Sequence, residues 1–211
     1  MYTPAHFQED RLPVLHDAIR CARLAALVTI GSDGLEASHV PIMLDALDGA
    51  FGSLHGHIAR ANPQWRRHSA TVPALAIFPG PEAYVSPSWY ASKAETGKVV
   101  PTWNYVAVHA GGTIEFYDDR ARLLALVAKL TDLHEGRRTE PWAVSDAPAD
   151  YIEKQLQGIV GFKLVIARLE GKWKVSQNRS MADRQGVIAG LGREGDAAER
   201  TLADVMLKML E

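Results

Sequence analysis

The chain has 211 residues, a formal net charge of −2, 47% apolar residues and one cysteine. That size allows one domain with a good core, and the charge gives no general pull toward nucleic acid or anionic membrane. A lone thiol excludes an intrachain disulfide framework and points to a reducing cytoplasm, and no run of about 18 apolar residues exists to span a membrane.

The opening "MYTPAHFQED" has neither a basic region nor an apolar core and does not read as a signal peptide. Leu12, Leu15, Ile19 and Ala22 then recur at helical spacing behind Asp10, with Pro13 in the first turn. Cys21 falls near that apolar face; Arg20 and Arg23 project elsewhere, so it reads as a buried rather than a reactive thiol. Residues 24–31 predict a buried strand ending at Ser32-Asp33-Gly34, residues 36–44 a second strand, and residues 45–49 a turn into a third at 50–57. An apolar strand at 73–78 is expected to turn at 79–83 into 84–88, followed by a polar loop over 89–98. The aromatic and β-branched stretch 99–110 predicts a strand, with Gly111-Gly112 turning it into 113–117. Asp118 or Asp119 caps a helix to about His134, with Leu123, Val127 and Leu130 on one face. A short helix at 149–159 precedes two strands around Glu170-Gly171 within 160–177. Ser180 and Asp183 form a capping-box pattern for a helix over 181–190, and Leu202, Val205, Met206, Met209 and Leu210 stripe a final one.

Strands joined by tight turns predict an antiparallel barrel, because closure removes exposed edges. The flanking helices make the class mainly β or α+β, as a single domain over 1–211 with a helical segment at 180–211.

Several groups carry candidate chemistry. His55 and His57 are two apart on a strand and share a face, and His39 lies on the paired strand. Three imidazoles can hold a metal, yet no carboxylate stands beside them at metal spacing, so hydrogen-bonding histidines and no metal are expected. No GxSxG, P-loop or GxGxxG motif occurs, and no catalytic residue is assigned. Arg66-Arg67-His68 and Arg137-Arg138 read as solvated surface charge. Trp89, Tyr90, Trp103 and Tyr105 stand beside Lys93, Thr102 and Asn104. Large rings next to small polar groups suit a planar heteroaromatic ligand, although core aromatics beside a loop have the same look. In "GHIARANPQWRR" (56–67), Asn62-Pro63 reads as the start of a short helix and Arg60 as a planar, permanently charged fork, a combination suited to phosphate. Asn-Pro also simply begins helices and turns.

The stretches "MYTPAHF", "GHIARANPQW", "AIFPGPEAYVSPSWY", "VPTWNYVAVHA" and "KVSQNRSMADRQGVIAGL" resemble the PaiB family of FMN-binding negative transcriptional regulators, in order and over nearly the whole chain. The resemblance implies an FMN-binding split β-barrel, related to pyridoxamine-phosphate-oxidase-like proteins, that forms a homodimer with the flavin between subunits. It implies a phosphate seat within Ser53, His55, His57, Arg60 and Asn62. It places the flavin ring over the His39–Met43 region and the strand Thr102-Trp103-Asn104, with Lys174 and Gln177 reaching it from the last strand. The alternatives are an FMN-dependent oxidoreductase and a haem-binding or haem-degrading relative that uses His39, His55 or His57 for iron. A DNA reader usually shows a basic stripe and a recognition helix, and neither is evident, so a regulatory protein partner or a flavin-borne signal is as plausible a route as direct DNA binding.

Overall fold

The computed structural model describes residues 1–22 and 24–210, so Arg23 lies outside the described residues. Strands β1 (Gln8–Glu9), β2 (Ala25–Gly31), β3 (Gly34–Val40), β4 (Ile42–Asp45), β5 (Ser53–Ala59), β6 (Ala74–Val85), β7 (Thr102–Tyr117) and β8 (Ile159–Lys174) form one sheet. The helices are α1 (Leu12–Cys21), α2 (Gln64–Arg67), α3 (Ser92–Thr96), α4 (Arg120–Glu135), α5 (Ala149–Gln157), α6 (Met181–Glu194) and α7 (Ala197–Lys208). The sheet order is β3-β2-β6-β7-β8-β5-β4, with β1 antiparallel to β8. This is the antiparallel α+β, split-barrel class that the sequence predicts. No helix among the described residues is long and apolar enough to cross a membrane.

The chain divides into two compact units. One comprises residues 1–18, 79–108 and 170–211, the other residues 19–78 and 109–169. The first buries Val85, Val106 and Val175 together with Val187 and Leu191 of α6 and Leu202 and Met206 of α7. The second buries Leu27, Leu54, Phe162 and Leu164 of the sheet with Leu123, Leu126 and Leu130 of α4. β6, β7 and β8 run through both units.

Those three strands correct the sequence reading. The predicted turns at 79–83, Gly111-Gly112 and Glu170-Gly171 all lie inside continuous strands, of 12 residues in β6 and 16 each in β7 and β8. Pro79 and Pro81 are two apart, so their missing N–H groups face the same side and weaken one ladder rather than two. The glycines answer to close packing. A Cβ at Gly112 would stand 1.9 Å from the Val165 carbonyl oxygen, and one at Gly171 would stand 2.3 Å from Leu15 Cδ2.

A second correction concerns residues 36–44. They form two strands, not one. β3 pairs with β2, β4 pairs with β5, and Pro41 alone separates them, so the two ends of the strand order adjoin in the chain. Cys21 is exposed, not buried. It lies two residues past the buried Ile19, which at about 100° per residue turns it away from the apolar face. Elsewhere local signals hold. Asp119 caps α4 by accepting from Arg122 N, and Ser180 caps α6 by accepting from Asp183 N. The Asp183 carboxylate itself goes to the backbone N and hydroxyl of Ser92 rather than completing a capping box. The expected loop over 89–98 contains α3, closed by Gly97 at φ 65°.

Candidate functional site

In the second unit, a cavity of about 440 Å³ opens where β3 passes through Pro41 into β4 and where β5 ends. That falls in the range of small-molecule sites. Ser38 and His39 line it from β3, His57 and Ile58 from β5, and Asn62 from the corner that follows. A second cavity of about 280 Å³ shares Pro41 and His57 and adds Leu130, His134 and Trp142. His57 is thus a wall common to both. Its Nδ1 is sealed from solvent and has no hydrogen-bond partner among the described residues. Burial pushes its pKa down, so the ring is neutral near pH 7. A buried polar atom without a partner is rare, and the residue that carries it lines space large enough for a ligand.

The corner itself is held by its own amides. Asn62 Oδ1 accepts from Gln64 N at 3.0 Å and its Nδ2 donates to Ser38 Oγ at 2.8 Å. Ser38 Oγ donates to Gln64 Oε1 at 2.7 Å, and the buried Gln64 Nε2 donates to the Leu27 carbonyl and Thr29 Oγ1, both at 3.1 Å. Asn62 thus turns the chain just ahead of α2, but the N-cap is Pro63 rather than Asn62, and α2 is a single turn of four residues.

Arg60 does not line this cavity. Its Nε donates to the Gln157 carbonyl at 2.7 Å, Nη2 to the Ile159 carbonyl at 3.2 Å and Nη1 to Asp118 at 3.4 Å. It borders a separate hollow of about 110 Å³ shared with Arg120 and Glu153. Ser53 and His55 form another knot. The fully buried Ser53 hydroxyl donates to Asp48 at 2.6 Å and lies 2.8 Å from His55 Nε2. With its one proton on Asp48, Ser53 is the acceptor from His55. Lys163, the cross-strand partner of His55, pairs with the same Asp48 carboxylate at 2.7 Å. Lys163, then Ser53, hold that carboxylate below its usual range.

In the first unit, Lys174 donates to the Thr102 hydroxyl at 2.7 Å and to the Trp103 carbonyl. The Trp103 indole is 55% exposed. Asn104 is buried and its Nδ2 donates to Ser176 Oγ at 2.9 Å, which steadies a serine at φ 65° just past β8. Gln177 folds back on that same strand end, accepting from Val175 N at 2.8 Å and donating to the Trp173 carbonyl. Trp89 packs on α6, where Gly190 leaves room for its indole, and Tyr90 is buried.

Of the sequence candidates, then, His57 and Asn62 meet at one cavity together with the expected His39 stretch. Ser53 with His55, and Arg60, are engaged elsewhere in that unit. Thr102, Trp103 and Lys174 form a group within the other unit, while Asn104 and Gln177 brace its backbone. Sequence reasoning missed Ser38, Gln64 and Lys172. Only Lys172, two residues before Lys174, carried a usable signal.

Residues 1–168 match the family model described as "Putative FMN-binding domain". An uncharacterized protein of Emericella nidulans is 34% identical over 98% of this chain and 96% of its own length. The Bacillus subtilis protease synthase and sporulation protein PAI 2 is 31% identical over 98% of this chain and 96% of its own length. The flavocytochrome Anf3 of Azotobacter vinelandii shares the fold with a TM-score of 0.59 at 11% identity, covering 85% of this chain and 75% of its own. The motifs, the sheet order and the near full-length relatives converge, and the chain belongs to the PaiB family of FMN-binding-domain, split-barrel proteins.

Proposed function

We propose that this protein binds FMN, that the cavity walled by His57 receives it, and that the bound flavin serves a PaiB-type negative regulator of transcription. The observation that carries the binding reading is His57 itself, a neutral, largely buried histidine that lines a cavity of suitable size together with Ser38, His39 and Asn62. A neutral imidazole suits the hydrogen-bonding edge of the isoalloxazine ring better than it suits a phosphate. FMN supplies a redox-active ring when bound. The chain's own residues orient it, with His57 against the ring and the Asn62–Ser38–Gln64 network fixing the corner. Membership in the PaiB family supports the regulatory role, and the net charge of −2 favours a protein partner over duplex DNA as its target. The same reading makes the protein a cytoplasmic homodimer folded as one domain, since three strands run unbroken through both units.

The test is a fluorescence titration with FMN and riboflavin, followed by the visible spectrum before and after a nicotinamide reductant. Tight FMN binding with slow reduction agrees with the proposal. Rapid reduction with turnover makes the protein an oxidoreductase, and a Soret band makes it a haem protein. Light scattering at micromolar concentration checks the dimer, and a gel shift showing nanomolar, sequence-selective binding would overturn the protein-partner route.

A further inference from the structure

β7 and β8 are neighbours in the sheet, and Trp103 and Tyr105 of β7 meet Lys174 and Lys172 of β8. Residues two apart on a strand share a face, so two rings and two ammonium groups make one surface. Tyr84 of β6 sets its ring edge-on to the Trp103 indole, with centroids 6.1 Å apart. Both of those rings are exposed.

The charge on this face is unbalanced. Lys172 is buried; its ammonium donates to the Tyr2 carbonyl at 3.0 Å and stands 5.2 Å from the Tyr105 ring centroid. Lys174 has only the Thr102 hydroxyl and the Trp103 carbonyl. Among the described residues neither ammonium has a carboxylate within ion-pair distance. Arg179 adds a third charge, its guanidinium 4.9 Å from the Tyr90 ring centroid. Asp183, which Ser92 also bonds, offsets part of the Arg179 charge but leaves the two lysines without a carboxylate. Burial first, then repulsion from Lys172 and Arg179, hold the Lys174 ammonium below its ordinary range. Cations withdrawn from water without a counter-charge are costly, and carbonyls and ring faces offset only part of that.

We propose that this face binds a small aromatic anion, with its ring on Trp103 beside Tyr84 and its carboxylate or phosphate on Lys174 in the field of Lys172 and Arg179. The site stands on its own residues and does not depend on flavin binding in the other unit.

The experiment is calorimetric titration of the FMN-saturated protein, and of the protein without added FMN, with naphthoate, naphthyl phosphate and the neutral naphthalenemethanol. At least one anion is expected to bind about tenfold or more tighter than the alcohol, and the better anion identifies which acid group the site takes. Lys174→Met is expected to remove that preference while leaving the alcohol unchanged. Trp103→Ala is expected to weaken all three, and Lys172→Met, which keeps the aliphatic stem, to lower anion affinity in a protein whose circular dichroism is unaltered. Equal binding of alcohol and anions, no binding of any, or an unchanged preference in Lys174→Met would overturn the proposal. So would release of FMN by naphthoate, which would assign the face to the flavin. If FMN itself fails to bind, the titration without it still decides the question.

Discussion

The two groups of basic side chains that the sequence offers for an anion behave in opposite ways. Arg60 sits in the most suggestive motif, yet its donors reach two carbonyls and Asp118. Lys174, which the family resemblance sets beside the flavin, and Lys172, which it does not name, share a strand, and their ammonium groups meet only carbonyls, a hydroxyl and ring faces. A cation marks a ligand site when its charge is left over after folding, not when its neighbours in sequence look suitable. Arg60 closes the junction of α5 and β8, whereas the two lysines hold charge that the fold does not neutralise.

The sharpest way to break this contrast is Arg60→Ala. Removing the fork strands the Gln157 and Ile159 carbonyls, and the loss is expected to be about 2 kcal/mol of stability, read by urea unfolding. The ratio of FMN to riboflavin affinity should not move; if it collapses, the phosphate sits on Arg60 and the contrast fails. Next in size, His57→Ala should weaken FMN and riboflavin alike by about tenfold, or ~1.4 kcal/mol, in a fluorescence titration. Loss for FMN alone would shift His57 to the phosphate end. Lys172→Met should raise the thermal midpoint, by about 1 kcal/mol of stability, because it deletes a buried charge that lacks a counter-ion. A lower midpoint would mean that the Tyr2 carbonyl and the rings satisfy it fully.

The smallest effect is a pH dependence. Burial, the leading cause at both His55 and His57, lowers their pKa values below the ordinary histidine value of 6.5. The unfolded chain then takes up protons before the native one as pH falls. Their contribution to stability is fully present above about pH 6.5 and is lost on acidification toward the lowered native values. Unfolding free energies measured across that window should slope upward with pH, and His57→Asn should flatten the slope. A slope unchanged by that substitution would place the linkage elsewhere.

Much of this was legible in advance, and particular residues show why the rest was not. The caps Asp119 and Ser180, the strand β2 and the stripe of Leu202 and Met206 are local patterns, and each appears where the sequence places it, although β2 buries alternate residues rather than its whole length. The family motifs were legible too, because they are contiguous. Glycine and proline misled at Pro79–Pro81, Gly111-Gly112 and Gly171, since they advertise conformational permission without saying whether a turn or a close approach uses it.

By itself the sequence determined the antiparallel α+β class, the longer helices with the caps Asp119 and Ser180, and the family. Tertiary structure alone decided that three apparent turns are mid-strand crossings, that Pro41 divides one predicted strand into two with different partners, and which charges are neutralised. Arg60 meets Ile159 across 99 positions and Lys174 meets Thr102 across 72. Gly112 is needed because of Val165, which sits on another strand. Helical periodicity and capping act within a few residues and can be read along the chain. Packing distance and charge balance depend on which strands the sheet brings together, and no stretch of sequence contains both partners.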